Sequence, residues 1–210
     1  MLEALHAHGD TYSPDSGHVV LDYTNTLSWR TRAEKVEFLN GYSDLVTWGK
    51  ITGLLSEEQA RTLLEKEPRH TEQAAGVYQR AIELRESLYR ILSAFSSASQ
   101  PELADVAVLN QELSLAMSYR RVEWNGSDFE WTWAQGTGQL DSMLWHVVGA
   151  AADLLTSDTL QRVGECQGLG CGWLFIDTSK NHSRRWCDME GCGNRAKARR
   201  HYKRKQNSSS

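Results

Sequence analysis

All four cysteines of the 210-residue chain fall between positions 166 and 192. They are spaced as Cys166-x4-Cys171 and, after fifteen residues, Cys187-x4-Cys192. Two close pairs with a spacer of this size match four-thiolate zinc sites. Zinc takes four ligands tetrahedrally, thiolates bind it strongly, and a short loop turns both sulfurs of a pair toward one ion. Gly168 and Gly170 lie in the first loop, and Gly191 and Gly193 flank Cys192, where the backbone must curve tightly. One structural zinc ion on Cys166, Cys171, Cys187 and Cys192 is therefore expected. Two disulfides are the other pairing, but a secreted framework spreads its cysteines over the fold. A redox dithiol usually shows C-x-x-C, which is absent. Four cysteines close the shell that a catalytic zinc keeps open. His182 could replace one cysteine, although all four already pair by spacing.

The elements around these ligands can be read next. Trp173 to Ile176 predicts a strand, Asp177-Thr178-Ser179 a turn, and Arg184-Arg185-Trp186 a returning strand. Asn194 onward is Ala- and Arg-rich without proline and predicts a helix. Knuckle, hairpin and helix make a treble-clef-like finger over residues 160–205. It has too few apolar residues to fold alone, so zinc should supply folding free energy on the order of 10 kcal/mol.

Charge is divided sharply. Residues 180–210 hold ten Lys/Arg and two acids, a net of +8, while the remainder holds thirteen and twenty-five, a net of −12. A basic end on an acidic body points to an anionic polymer as partner. Arg195, Arg199 and Lys203 recur at four-residue steps, and Arg200 and Arg204 form a second row. Such a helix can meet phosphates or offer arginines to guanine edges in a major groove. The candidate DNA contacts are Arg184, Arg185, Asn194, Arg195, Lys197, Arg199, Arg200 and Lys203. Asn194 could instead cap the helix start. RNA stays open as the polymer, since Trp186 and Tyr202 can stack on bases. The plainer alternative is a solvated basic face or a tail packed on the acidic body.

The front of the chain predicts an α+β, mainly helical domain over residues 18–158, after a mobile polar arm at 1–17. His18 to Tyr23 reads as a strand, and Val36 to Trp48 as two short helices broken near Gly41. Ser56 with Gln59 forms a capping box for a helix that ends before Pro68. Val77, Ala81, Leu84, Leu88, Ile91, Leu92 and Phe95 mark a long helix from about Thr71 to Ser96. Pro101 opens another helix. Residues 119–124 and 129–133 alternate around Asn125-Gly126 as a β-hairpin, and Leu140 to Leu155 is a further helix. Residues 206–210 read as a disordered tail.

Asp22, Asn25 and Thr26 follow the first strand, and Arg85 on the long helix could pair with Asp22. The plain reading is a buried ion pair with local caps. The sharper one is a pocket for a small anionic or polar effector, lined by Trp48, Trp131, Trp133 and Trp145. His146 on an apolar helix reads as a core histidine. No Ser-His-Asp set, phosphate loop or paired-carboxylate motif stands out, so an enzyme is not expected. No apolar run approaches the ~20 residues of a membrane span, and no signal peptide is read at the N-terminus. The chain is expected to be cytoplasmic and free of membrane.

Cys192-Gly193-Asn194-Arg195 resembles the CGNR zinc-finger family, named for that tetrapeptide. The likeness extends through Cys166, Cys171, Phe175-Ile176-Asp177-Thr178-Ser179, Arg184-Arg185-Trp186-Cys187, Lys197 and Arg199. Leu21-Asp22-x-x-Asn25-Thr26, then Leu39, Tyr42, Asp44-Leu45, Trp48, Leu84-Arg85 and Leu88-Tyr89 resemble the ABATE domain that commonly precedes this finger. The resemblance implies a bacterial transcription regulator proposed to be stress-induced, with the finger on DNA and a poorly defined role for the ABATE domain. A homodimer is an expectation for a regulator that the residues themselves do not show. The alternative is an enzyme or an RNA-associated protein with a structural finger.

Overall fold

The computed structural model describes residues 5–7, 10–134 and 138–208. It is mainly helical with small antiparallel strand pairs. Part of the N-terminal arm carries a strand pair. Strands β1 (His6–Ala7) and β2 (Asp10–Thr11) pair, and Leu5 and Tyr12 are buried in the core. The Tyr12 hydroxyl donates to the Asp22 carbonyl at 2.6 Å. Residues 1–4, 8–9 and 209–210, the rest of the arm and the end of the expected tail, lie outside the described residues.

The apolar run read as a strand forms a short helix, α1 (Val19–Thr24), which departs from the sequence expectation. His18 caps it by accepting from the Val20 amide at 3.2 Å. The Thr24 and Thr26 hydroxyls close back onto the Leu21 and Tyr23 carbonyls. An apolar run this short and this buried carries no period that separates helix from strand. Strands β3 (Leu27–Ser28) and β4 (Val36–Glu37) follow as a pair, where the first of two short helices was expected. The second is α2 (Tyr42–Ile51), begun at Gly41. Helix α3 (Glu57–Lys66) has the full Ser56–Gln59 capping box.

Helix α4 (Thr71–Ser96) is the axis of the body, burying Ala74, Val77, Ala81, Leu84, Leu88, Ile91 and Leu92 along one stripe. Helix α5 (Leu103–Met117) starts two residues after Pro101 and docks on α4 partly through charge. Arg80 meets Glu112 at 2.7 Å, and Arg90 donates to buried Asp105. Strands β5 (Arg120–Trp124) and β6 (Phe129–Trp133) form the hairpin around Asn125-Gly126. Helix α6 (Ser142–Leu155) buries Leu144, Trp145, Val147, Val148, Ala151 and Leu154.

Strands β7 (Val163–Glu165) and β8 (Leu174–Ile176) pair, and the last helix is α7 (Asn194–Ser208). Arg184 to Trp186 are irregular, so the partner of the Leu174 strand lies before the first cysteine pair and not after it. Helix α7 runs through Ser208, past Lys205 where the finger was expected to end. Because side chains alternate along a strand, β8 joins two cores. Leu174 and Ile176 belong to the core of the body, while Phe175 packs with Cys166, Cys171 and Cys192.

Candidate metal centre and nucleic-acid interface

The β7–β8 hairpin carries the first cysteine pair at its tip. The Cys166 amide donates to the Trp173 carbonyl at 2.8 Å, and the Cys171 amide to the Gly168 carbonyl at 3.0 Å. This curls the loop so that both sulfurs face one point. Gly170 holds φ +83°, a left-handed conformation suited to glycine. Gly168 is required for space, since a Cβ there would lie 2.7 Å from Cys192 Sγ and 3.3 Å from Cys166 Sγ.

The second pair arrives on a loop and a single π-helical turn, Met189–Gly193. Asp188 caps that turn, its carboxylate accepting from the Glu190 and Gly191 amides. The turn that leads into α7 is thus capped by Asp188, six residues before Asn194. Asn194 itself is exposed at the first position of α7. The sequence signal was an Asp just before a short Met-Glu-Gly run, easily overlooked beside a ligand.

All four Sγ atoms lie within 4.8 Å of one another. Cys171 and Cys187 are 3.7 Å apart, and Cys187 and Cys192 are 3.8 Å apart. A tetrahedron with Zn–S bonds of about 2.3 Å has edges of about 3.8 Å, so the donor set fits zinc. Hydrogen bonds from Cys166, Cys171 and Cys187, with the Arg195 charge behind them, pull the Cys192 thiol well below its ordinary range. The same sharing pushes Cys171 and Cys187 up. Four thiols this close ionise together only when a cation compensates them. Cys166, Cys171, Cys187 and Cys192 hold one structural zinc ion, and no open ligand position follows from four thiolates.

Two arginines expected at DNA make contacts within this centre. Arg184 donates from Nε to the Trp186 carbonyl at 3.0 Å, from Nη1 to the Ile176 carbonyl at 3.0 Å, and from Nη2 to the Cys187 carbonyl. Its guanidinium also lies over the Phe175 ring. The Asp177 carboxylate accepts from the Ser179 and Arg184 amides and fixes the start of the same loop. Arg195 donates to Cys192 Sγ at 3.0 Å and lies over Trp29, whose ring also carries Arg32. Arg185 is exposed and donates to Gln167 at 2.7 Å. Lys197, Arg200 and Lys203 are exposed on α7, and Arg199 is half-buried.

The four residues considered for an effector pocket are buried and engaged. Asn25 pairs with the Leu174 backbone, donating from Nδ2 to its carbonyl and accepting at Oδ1 from its amide, both at 2.9 Å. Asp22 accepts from the Ser16 amide at 2.9 Å, and burial pushes its carboxyl up. Arg85 does not reach Asp22. It meets Glu37 at 2.6 Å and Glu86 at 2.9 Å, and donates to the Thr26 hydroxyl at 3.2 Å. Burial pushes the Glu86 carboxyl up, but Arg30 and Arg85 outweigh it, and its pKa falls below the usual value. Trp48, Trp133 and Trp145 are core, whereas Trp131 is exposed. His146 packs edge-on against Trp133, and burial lowers its pKa.

Contacts between body and finger were invisible in sequence. The Arg30 amide donates to the Cys171 carbonyl at 3.1 Å, and the Ile176 amide to the Ser16 carbonyl at 3.0 Å. Ser93 on α4 donates to the Glu165 carboxylate on β7 at 2.5 Å. The finger is thereby bonded to the body along its hairpin.

A helical body joined to a four-cysteine finger defines the class: a metal-binding zinc-finger protein. The chain belongs to the ABATE family, described as "Putative stress-induced transcription regulator", whose model matches residues 17–158. The CGNR zinc finger matches residues 162–205. No curated protein matches the chain. The family description points to a regulator rather than an enzyme. Among the described residues no helix is long and apolar enough to cross a membrane.

Proposed function

We infer that the protein is a zinc-dependent DNA-binding transcription regulator whose contact surface is the basic face of α7. The observation that carries this reading is a helix anchored at its first turn to the metal centre, with Lys197, Arg200 and Lys203 exposed beyond it. Arg199 and Lys203 continue the row that Arg195 begins. The +8 end and the −12 remainder favour approach to phosphates by this end alone. In this reading Lys197, Arg199, Arg200 and Lys203 are the direct contacts, with Arg185 and Asn194 at the margin. Arg184 and Arg195 position the loop and the helix. Asn25 serves the joint between body and finger, while Asp22, Thr26 and Arg85 are engaged by Ser16, Tyr23, Glu37 and Glu86 within the body, which leaves a small-molecule sensor without a site among those four.

The test is duplex binding by the zinc-loaded chain. Reversing charge in Arg199→Glu with Arg200→Glu should weaken binding at least tenfold and lower its salt dependence, with zinc content unchanged. An unchanged affinity would remove α7 as the contact surface. Genome-wide mapping of bound DNA, with a chelator-treated control, would identify the sites.

A further inference from the structure

The β5–β6 hairpin leaves the body after its first rung. Trp133 and Tyr119 anchor its base against Trp145, while every residue from Arg121 to Trp131 is exposed. Cross-strand partners share a face. The register pairs Val122 with Trp131 and Trp124 with Phe129, so these four side chains line one side of the ribbon. They are 54%, 65%, 56% and 74% exposed, respectively. The opposite side carries Arg121, Glu123, Glu130 and Thr132. A ribbon with an aromatic face in water and a charged back is not explained by the body, the zinc centre or the basic helix.

The geometry points to this face as the interface for a second copy of the chain. Three aromatic side chains and one valine at these exposures offer roughly 450 Å² of apolar surface. Interfaces are about 56–65% apolar, so that patch implies roughly 750 Å² per partner. A standard stable interface takes about 800 Å² per partner. The composition also selects the occupant. Glu123, Asp128 and Glu130 outnumber Arg120 and Arg121 around the stripe, on a body of net −12, which opposes phosphates of nucleic acid or anionic lipid. The stripe itself holds no charge, and Arg120 sits at its base over Trp133 at 4.3 Å. Two identical stripes related by a two-fold axis therefore meet apolar to apolar, with no like-charge pair at the centre. Such a dimer carries two α7 helices for two half-sites. That consequence rests on the DNA reading above, but the interface does not.

The experiment is light scattering on the zinc-loaded full chain over a wide range of concentration, without DNA, so the two readings fail separately. The expected mass rises to twice that of the monomer. Trp124→Ser with Trp131→Ser should return it to the monomer, with circular dichroism and zinc content unchanged. Should that double variant not fold, Phe129→Glu, at the most exposed position, gives the same monomer. A wild-type chain that stays monomeric at every concentration, or variants that dimerise like the wild type, would overturn the proposal. A monomeric wild type that binds neutral or anionic vesicles, and loses that binding in the variants, would assign the face to a membrane instead.

Discussion

The two faces of strand β8 are held by different physics. Leu174 and Ile176 enter a large apolar core built on α4, which includes Leu84, Leu88 and Leu92. Phe175 enters a small cluster whose other buried members are three of the zinc ligands. One side is stable through buried area, at roughly 25 cal/mol per Å². The other has little area to bury and depends on a metal. A single three-residue strand thus joins a part that folds by hydrophobicity to a part that folds by coordination. The finger has two halves: a hairpin that belongs to the body and a loop and helix that belong to the zinc.

The sharpest break in this comparison is metal loss. Cys171→Ser, or a strong chelator, should remove zinc and with it folding free energy on the order of 10 kcal/mol in the distal finger. Helix α7 should melt while α4 to α6 persist. Circular dichroism would show a partial loss of helix, and hydrogen exchange would rise at 187–208 but not along α4. Global unfolding of the chain would show that the body has no stability of its own.

Next in size is Arg85→Ala. It strands Glu37 beside an almost fully buried position and leaves Glu86 to Arg30 alone. Breaking a buried pair in this way costs about 3–5 kcal/mol. The thermal midpoint should fall steeply, while purified folded protein keeps its zinc. Asn25→Ala comes third. It orphans the buried amide and carbonyl of Leu174, a loss of about 2–4 kcal/mol for the two groups. Here the comparison is sharpened, because the seam itself is cut: exchange should rise in β7 and β8 ahead of α4. Equal protection of all three would show that the joint does not rest on Asn25.

The smallest effect is a pH dependence. Glu86 has its carboxyl pKa lowered by Arg30 and Arg85, so its contribution is present above the ordinary value of 4.5 and is lost as pH falls through the folded value. The stability gap between wild type and Glu86→Gln should be constant near neutrality and shrink below about pH 4.5. A gap that widens on acidification would reverse the assignment.

Local signals were legible. The Cys-x4-Cys pairs, the 3.6-residue stripe of α4, the capping box at Ser56 and the hairpin at Asn125-Gly126 all depend on neighbours a few residues apart. Non-local choices were hidden. His18 to Thr24 folds as a helix because it is buried nearly all round, which removes the period. Arg85 turned to Glu37 rather than Asp22 because β4, read as a helix, brings that carboxylate across. The three carbonyls that Arg184 binds come from positions 176, 186 and 187, which its place in a basic run does not reveal.

The sequence by itself determined the zinc ligands, the charge divide and the helical frame, since spacing and composition act over short range. Only the tertiary structure decided which basic residues hold the centre and which face outward. It also decided that Asn25 binds a strand 149 residues away and that the hairpin's aromatic face stays uncovered. The physical reason is common to all three. A hydrogen-bond donor or an apolar ring is defined by what it meets, and for these residues the partner, or its absence, is set by the packing of distant segments.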